Sequence, residues 1–346
     1  MLEAMGIRPI PLFMLSSWIK AAAKCGFNVQ PLFKEAGITI DLIRLEDARV
    51  SPLQLISVLE QCVALSPPDK YFPLVMGDTF AFESLPEFET LLATSPTLRG
   101  ALQGAELARK VVLPWISLEL LEQGELARVK VGINVPIPNV ERFGLPLNMV
   151  LIGIMAVIRK FGRNLKGDED GFVQVELREP PGKWSRHIEE FFGRPVLYNQ
   201  SHDALVFERR ILDLPLEGAF PQLHEQAHYL ASQRIGKEVK RLGVTAEIEE
   251  LISGEPDLLA LGIDDMAERL HLHARTLQRR LKDEGESYLG IQARMRHRLA
   301  CQWLKQGTVS IDDISARLGF SDRRAFTAAF KRWEGTTPKA WREKQG

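Results

Sequence analysis

The stretch Ile263-Asp-Asp-Met-Ala-Glu-Arg-Leu270, His271-Leu-His-Ala274, Arg275-Thr-Leu-Gln-Arg-Arg-Leu-Lys282 is written a second time as Ile311-Asp-Asp-Ile-Ser-Ala-Arg-Leu318, Gly319-Phe-Ser-Asp322, Arg323-Arg-Ala-Phe-Thr-Ala-Ala-Phe-Lys331. Ile263, Asp264, Asp265, Arg269 and Leu270 recur as Ile311, Asp312, Asp313, Arg317 and Leu318, at an offset of about 48 residues. The offset slips by one at Leu277/Phe326, Leu281/Phe330 and Lys282/Lys331, just after the turn, where an extra residue is tolerated best.

Each copy reads as a short helix with one apolar face (Ile263, Met266, Ala267, Leu270; Ile311, Ile314, Ser315, Leu318), a tight turn, and a second helix. The inward face of that second helix is Leu277/Leu281 or Phe326/Phe330. Its outward positions are then Arg275, Thr276, Gln278, Arg279 and Lys282 in the first copy, and Arg323, Arg324, Thr327, Ala328 and Lys331 in the second. Arginine can bridge guanine O6 and N7 with two hydrogen bonds, whereas lysine acts more as a point charge on phosphate. A helix that begins with Arg and ends with Lys therefore suits base readout followed by backbone anchoring. Gly319 suits a turn that needs left-handed backbone. One such pair of helices could be an ordinary amphipathic element with solvated arginines. Two copies with the same core spacing, joined by a basic helix from Ile291 to Leu304, favour a DNA reader.

Residues from about 243 to 344 resemble the double helix-turn-helix domain of the AraC/XylS transcription regulators. The resemblance is carried most specifically by Gly319-Phe-Ser-Asp322, Ala325-Phe326, Ala329-Phe-Lys-Arg-Trp333, Gly335-Thr-Thr-Pro338 and Trp341-Arg342. It implies base-reading roles for Arg275 and Arg279 in the first unit and for Arg323, Arg324 and position 328 in the second. This chain has Ala328 where the family usually has arginine, so discrimination by the second unit is expected to rest on Arg323 and Arg324.

The chain has 346 residues, enough for two cores, with 45% hydrophobic and 26% charged residues, ordinary for a folded protein. A formal net charge of −1 conceals a split: Arg269 to Gly346 holds 17 basic and 8 acidic residues, net +9, which leaves −10 for the rest. The basic tail is the expected nucleic-acid face, with affinity that falls as salt rises. Cys25, Cys62 and Cys301 are far apart, which disfavours a disulfide framework and fits a reducing cytoplasm. No signal peptide is evident, since the apolar run Ile10 to Leu15 is short and contains Pro11. Leu145 to Ile158, broken by Pro146 and Asn148, falls short of the roughly 18 residues that span a bilayer. It is expected to form a buried helix, entered after Gly144-Leu-Pro146.

The N-terminal two thirds read as α+β: helices packed on an antiparallel sheet. Helical spacing is expected over Trp18 to Cys25, Val29 to Glu35, Ser51 to Leu65, Tyr71 to Phe80 and Thr97 to Lys110, with Ser51-Pro52 a good helix start. Val111 to Leu121 and Leu126 to Val135 read as a hairpin around Glu122-Gln-Gly-Glu125. A helix from Asn148 to Phe161, a strand from Phe172 to Arg178, a helix from Trp184 to Phe192, and strands from Pro195 to Tyr198 and Ala204 to Glu208 follow. Phe192-Gly-Arg-Pro195, Ala204-Leu-Val-Phe207 and Leu212-Asp-Leu-Pro-Leu216 resemble the effector-recognition (arabinose-binding-type) domain found in a subset of AraC-type regulators, one that includes amino-acid catabolic activators. That implies a small-molecule sensor. Trp115, Phe143, Trp184 and Phe191 are candidates to line a cavity, but such aromatics are more often packing, so no effector residue is nominated.

Three constellations in the sequence suggest rival chemistries. His224-Glu-Gln-Ala-His228 matches the H-E-x-x-H pattern of zinc hydrolases, with Glu247, Glu249 or Glu250 downstream as a third ligand. It falls in the connector, and a solvated or dimer-facing helix is the simpler account. A haem ligand would have to be His187 or His202, and lone histidines are usually structural. Cys25 and Cys62 sit in apolar surroundings and read as small hydrophobes rather than nucleophiles.

The expectation is a cytoplasmic transcriptional regulator, an activator by the family resemblance, that is neither an enzyme nor dependent on a cofactor or metal. Residues 1–215 form the effector-sensing and dimerisation domain, 216–242 a helical connector, and 243–346 the all-α double helix-turn-helix domain. Expected partners are double-stranded DNA, a small-molecule effector, RNA polymerase and a second copy of the chain, with no membrane. The connector acts as lever, with Leu223, Ala227, Leu230 and Ala231 as its apolar stripe. The alternatives are the zinc hydrolase and an effector-independent regulator whose N-terminal domain only mediates assembly.

Overall fold

Apolar residues at helical spacing dominate the chain, and the computed structural model is accordingly mostly helical; it describes residues 10–12, 14–38, 40, 49–133, 147–166, 171–307 and 309–345. The chain divides into two compact units, Met1–Ile235 and Gly236–Gly346.

The first unit opens with β1 (Ile10–Pro11), α1 (Leu15–Cys25), α2 (Gln30–Glu35) and β2 (Arg49–Val50), and β1 and β2 pair antiparallel. Then come α3 (Pro52–Leu65), α4 (Phe72–Thr79), α5 (Pro86–Ala93) and α6 (Leu98–Val112). Ser51 caps α3 in a full capping box: its hydroxyl accepts from the Gln54 amide at 3.2 Å, and the Gln54 side chain accepts from the Ser51 amide at 2.9 Å. Pro86 is the first residue of α5, where its missing N–H is harmless.

Beyond α6 lie β3 (Ile116–Gln123), β4 (Leu126–Ile133), α7 (Leu147–Lys166), β5 (Phe172–Glu176), α8 (Ser185–Phe192), β6 (Val196–Leu197) and β7 (Asp203–Glu208). Two expectations shift here. Val111 and Val112 end α6 rather than begin a strand, because the break comes only at Leu113-Pro114, where the proline forces its predecessor out of helical geometry. The five-stranded sheet, in order β3-β4-β7-β5-β6, is antiparallel except at its edge, where β6 runs parallel to β5. The connection from β5 to β6 passes through α8, and a crossover helix returns the chain in the same direction. Val135, Phe143 and Gly144-Leu-Pro146 lie outside the described residues.

After β7 the chain makes a short 3-10 turn (Arg209–Asp213) and enters α9 (Pro221–Arg241). The expected apolar stripe of α9 is split. Ala227, Ala231 and Ile235 are buried, whereas Leu223 and Leu230 are 41% and 54% exposed, with Phe220 and Tyr229 exposed near them. In the first unit Arg234 anchors α9 to Glu87 at 2.8 Å, and His224 Nδ1 lies 3.1 Å from the Leu91 carbonyl oxygen.

The second unit is all helical: α10 (Val244–Gly254), a 3-10 turn (Pro256–Ala260), α11 (Ile263–Arg269), α12 (Ala274–Asp283), α13 (Tyr288–Gln306), α14 (Ile311–Arg317), α15 (Arg323–Glu334) and α16 (Pro338–Gln345). Its core joins Met266, Leu277 and Leu281 of the first repeat to Ile314, Phe326 and Phe330 of the second, through Ile291, Met295 and Leu299 of α13. Among the described residues, no helix is long and apolar enough to cross a membrane.

Candidate nucleic-acid interface

The repeated Ile-Asp-Asp opens both short helices, and its second acid bonds the residue before the helix in each copy. Asp265 Oδ2 accepts from the Gly262 amide at 3.3 Å, and Asp313 Oδ2 accepts from the Ser310 hydroxyl at 2.6 Å. Carboxylates in a first turn also favour the positive end of the helix dipole. Both helices then end alike. The Leu272 amide donates to Ala267 O at 2.8 Å and the His271 amide to Glu268 O at 2.9 Å; Phe320 to Ser315 O at 3.1 Å and Gly319 to Ala316 O at 2.9 Å repeat the pattern. This six-to-one closure needs left-handed backbone at the turn residue, and His271 (φ 54°) and Gly319 (φ 73°) supply it. Histidine in that conformation is strained and glycine is not.

The turns point α12 and α15 so that Leu277, Leu281, Phe326 and Phe330 are buried, each 2% exposed or less. Arg275, Gln278, Arg279 and Lys282 are exposed on α12, and Arg323, Arg324, Ala328 and Lys331 on α15; Thr276 and Thr327 are half-buried at the edges. Arg323, Arg324, Thr327, Ala328 and Lys331 together line one open surface groove. Among the described residues, Arg275, Arg279, Lys282, Arg324 and Lys331 form no ion pair. Arg323 does: its Nη1 lies 3.0 Å from Asp312 Oδ2, with both side chains more than half exposed. Such a pair contributes roughly 0–1 kcal/mol and can open.

The helix between the repeats is basic for a different reason than sequence suggested. Arg294 of α13 pairs with Glu249 at 2.8 Å and Glu286 at 3.1 Å. Arg296 donates to Leu318 O at the end of α14 at 2.9 Å and to Leu259 O in the 3-10 turn before α11 at 3.0 Å, and its burial lowers its pKa from the ordinary arginine value. Gln292 adds bonds to Leu259 O and Leu261 O. These side chains tie α13 to its neighbours, Arg296 reaching the end of α14, so part of the positive charge of the tail is structural.

One junction had no signal in the sequence beyond a glycine. Glu284, just past α12, turns its carboxylate onto the start of α10, where Oε1 accepts from the Val244 amide at 2.8 Å and Oε2 from the Thr245 amide at 3.0 Å. Gly243 (φ 97°, ψ 176°) makes room: a Cβ there would stand 2.4 Å from Glu284 Oε1.

In the first unit, α4, α6, α7 and the sheet line a partly open, almost wholly apolar cavity of about 130 Å³. Met76, Phe80, Leu102, Ala105, Ile154, Val157, Phe161, Phe172 and Phe207 are among its walls, and Arg109 and Arg159 are the charged side chains lining it. Arg109 is engaged by Glu106 and Pro114 O, and Arg159 lies 4.7 Å above the Phe191 ring. Of the aromatic candidates, the three described ones are not walls: Trp184 stacks on Tyr71 at 4.8 Å, Phe191 packs on Phe192, and Trp115 is buried elsewhere; Phe143 lies outside the described residues. The walls come from stretches of chain far apart in the sequence, so no local pattern could mark them.

The metal and redox candidates take their places too. His224 is half-buried against Leu91 and Thr94, while Glu225 and His228 are exposed, and among the described residues no third metal-binding side chain joins them. His202 faces Glu176 at 2.8 Å, with its pKa lowered chiefly by burial. Cys25 and Cys62 are buried, and burial pushes the Cys62 thiol up to about 12.

A duplicated helix-turn-helix with two outward cationic helices, following an α+β unit in the chain, defines a class of DNA-binding transcriptional regulator. Residues 26–216 match the family described as the arabinose-binding domain of AraC transcription regulators, N-terminal, and residues 266–344 match a helix-turn-helix domain. The chain belongs to the AraC family of transcriptional regulators. It is 23% identical over 334 residues to the ornithine utilization regulator of Pseudomonas aeruginosa, covering 96% of each chain. It is 25% identical over 323 residues to the regulator VirS of Mycobacterium tuberculosis, covering 92% of this chain and 91% of that one. A crystal structure of the regulator CdpR from P. aeruginosa superposes with a TM-score of 0.43 at 21% identity, over 91% of this chain and 96% of that one.

Proposed function

We infer that the chain is an effector-controlled transcriptional activator in which α12 and α15 read DNA bases. Arg275, Thr276, Gln278 and Arg279 make the base contacts of the first unit, and Arg323, Arg324 and Thr327 those of the second. Lys282 and Lys331 hold phosphates. The observation that carries the reading is that both arginine-bearing faces are exposed while the opposite faces of the same helices are buried. Two recognition helices about one DNA turn, roughly 34 Å, apart would engage successive major grooves on one side of the duplex.

Residues 1–215 sense the effector, 216–242 connect, and 243–346 read DNA. The effector site is the apolar cavity, and its walls suit an uncharged ring or a short alkyl segment, since an apolar cavity of this size stays dry and takes such molecules. Binding biases α9, which transmits the change. Exposed Phe220, Leu223, Tyr229 and Leu230 supply an apolar surface for a second subunit. RNA polymerase is the further partner, and the cytoplasm is the site of action. The reading includes no catalytic role, in keeping with regulator relatives.

The test is selection of bound sites from genomic DNA, followed by binding of Arg279→Ala and Lys282→Ala to the selected site. Arg279→Ala is expected to weaken binding by about 1–3 kcal/mol and to relax base preference in one half-site, while Lys282→Ala mainly lowers the salt dependence. Unchanged affinity and preference in Arg279→Ala would remove α12 as a recognition helix. For the effector, Ala105→Phe should fill the cavity and abolish the thermal shift produced by apolar ligands.

A further inference from the structure

A cluster that the DNA-reading role does not use lies between α13 and the end of α15. His297 and Cys301 are four residues apart on α13 and so share a face. Glu334 is the last residue of α15, which stops at left-handed Gly335. Glu334 Oε1 is 2.6 Å from His297 Nε2 and 4.0 Å from Cys301 Sγ, and the three donor atoms all fall within 4.8 Å of one another.

We propose that His297, Cys301 and Glu334 form a Zn²⁺ site that clamps α13 to the second recognition helix. An imidazole nitrogen, a thiolate and a carboxylate oxygen are the donors that Zn²⁺ accepts, and the thiolate disfavours Mg²⁺ and Ca²⁺. Zinc bonds of roughly 2.0–2.3 Å at tetrahedral angles place the N and O donors about 3.3 Å apart and sulfur about 3.5 Å from each. The observed edges straddle that span, so the His297–Glu334 hydrogen bond has to open by about 0.7 Å and the Cys301 edges have to close, within the reach of side-chain rotation. The carboxylate is already oriented: Glu334 Oε2 accepts from Trp341 Nε1 at 3.0 Å, and an outer hydrogen bond of this kind holds a ligand in one binding geometry. The His297 ring is held in turn by Trp333, centroid to centroid 5.2 Å. His297, Cys301 and Glu334 are all partly accessible, which leaves an entry path and room for water as a fourth ligand.

Binding exchanges the Cys301 S–H bond for a Zn–S bond and releases the thiol proton to solvent; no electron moves. Burial pushes that thiol up to about 12, so metal affinity should rise with pH. Because Glu334 closes α15, the metal would stiffen the helix that carries Arg323 and Arg324.

The test uses the tag-free full-length chain, stripped with chelator and titrated with Zn²⁺ against a chromophoric competitor, and separately with Co²⁺. One equivalent of Zn²⁺ per chain is expected, together with a near-ultraviolet thiolate-to-cobalt band and a higher Tm. Cys301→Ser should abolish the band and weaken Zn²⁺ binding at least tenfold, and His297→Gln should weaken it comparably. Cys25→Ser/Cys62→Ser should keep both, and far-ultraviolet circular dichroism checks that each variant folds. No binding, or stoichiometric binding that survives both Cys301→Ser and His297→Gln, would overturn the proposal; loss in His228→Ala instead would relocate the metal to α9.

Discussion

Replacing Gly243 by alanine strikes the point where the DNA-reading unit begins. Its backbone (φ 97°, ψ 176°) lies in a region that essentially only glycine occupies, where a side chain adds about 1–3 kcal/mol of strain. The new Cβ would also stand 2.4 Å from Glu284 Oε1. The carboxylate must then swing away from the Val244 and Thr245 amides, which loses a charged cap of about 1–2 kcal/mol. Gly243→Ala should therefore destabilise the second unit by about 2–5 kcal/mol, and Glu284→Ala by about 1–2 kcal/mol. In the double variant there is no carboxylate to displace, so the two effects should sum to more than the measured total. Peptide-resolved hydrogen exchange on the full-length chain is the assay, because it reads α10 to α12 separately from the first unit. Loss of less than about 0.5 kcal/mol in Gly243→Ala, or strict additivity in the double variant, would refute the account of this junction.

Other consequences are smaller. Asp312→Ala frees Arg323 and removes a carboxylate beside the groove, so affinity for a selected DNA site should rise about two- to fivefold at low salt, in a gel-shift titration; a fall would mean the pair orders Arg323 for binding. Gly319→Ala meets nothing nearer than Arg296 Nη2 at 3.9 Å, so only left-handed strain of about 1–2 kcal/mol is expected in the unfolding free energy of that unit. At the equivalent turn, His271→Gly should be neutral or stabilising by up to about 1 kcal/mol, and equal destabilisation by both would deny the equivalence. Arg99 bonds Asp213 and Glu122, each at 2.6 Å, and its hydrogen bonds hold both carboxyls below their usual range. Lowered folded-state values give stabilisation that is present above the unfolded pKa, near 4, and lost as pH falls through the folded values. The gap in urea midpoint between the native chain and Arg99→Met should thus close between about pH 5 and pH 2, and a gap that widened on acidification would contradict it.

The α+β character of the first unit and the all-helical character of the second were legible because both rest on local rules. Ser51-Pro52 announces a helix start, alternating Val129 and Val131 a half-buried strand, and Leu277/Leu281 the inner face of a helix. The errors fell where two local signals competed or where the deciding partner was distant. Val111-Val112 have β-branched side chains yet finish a helix, because Pro114 and not Val111 sets the break. Edge strand β6 is parallel because of the path taken through α8, which no property of Val196-Leu197 encodes.

By itself the sequence determined the duplicated reader: short-range periodicity and the repeated Ile-Asp-Asp decide which residues of α12 and α15 turn inward, and so which arginines are left outside. Tertiary structure alone decided which cations are spent. Arg294 and Arg296 look as available as Arg275 and Arg279 in the sequence, but their guanidinium groups are held by Glu249 and Glu286, and by the carbonyls of Leu259 and Leu318, respectively. The apolar cavity, the cap of Glu284 on α10, and the meeting of His297, Cys301 and Glu334 were decided the same way. The physical reason is range: helix periodicity and caps act over a few residues, whereas a cavity wall, a charge partner or a ligand set requires segments tens of residues apart to be packed together first.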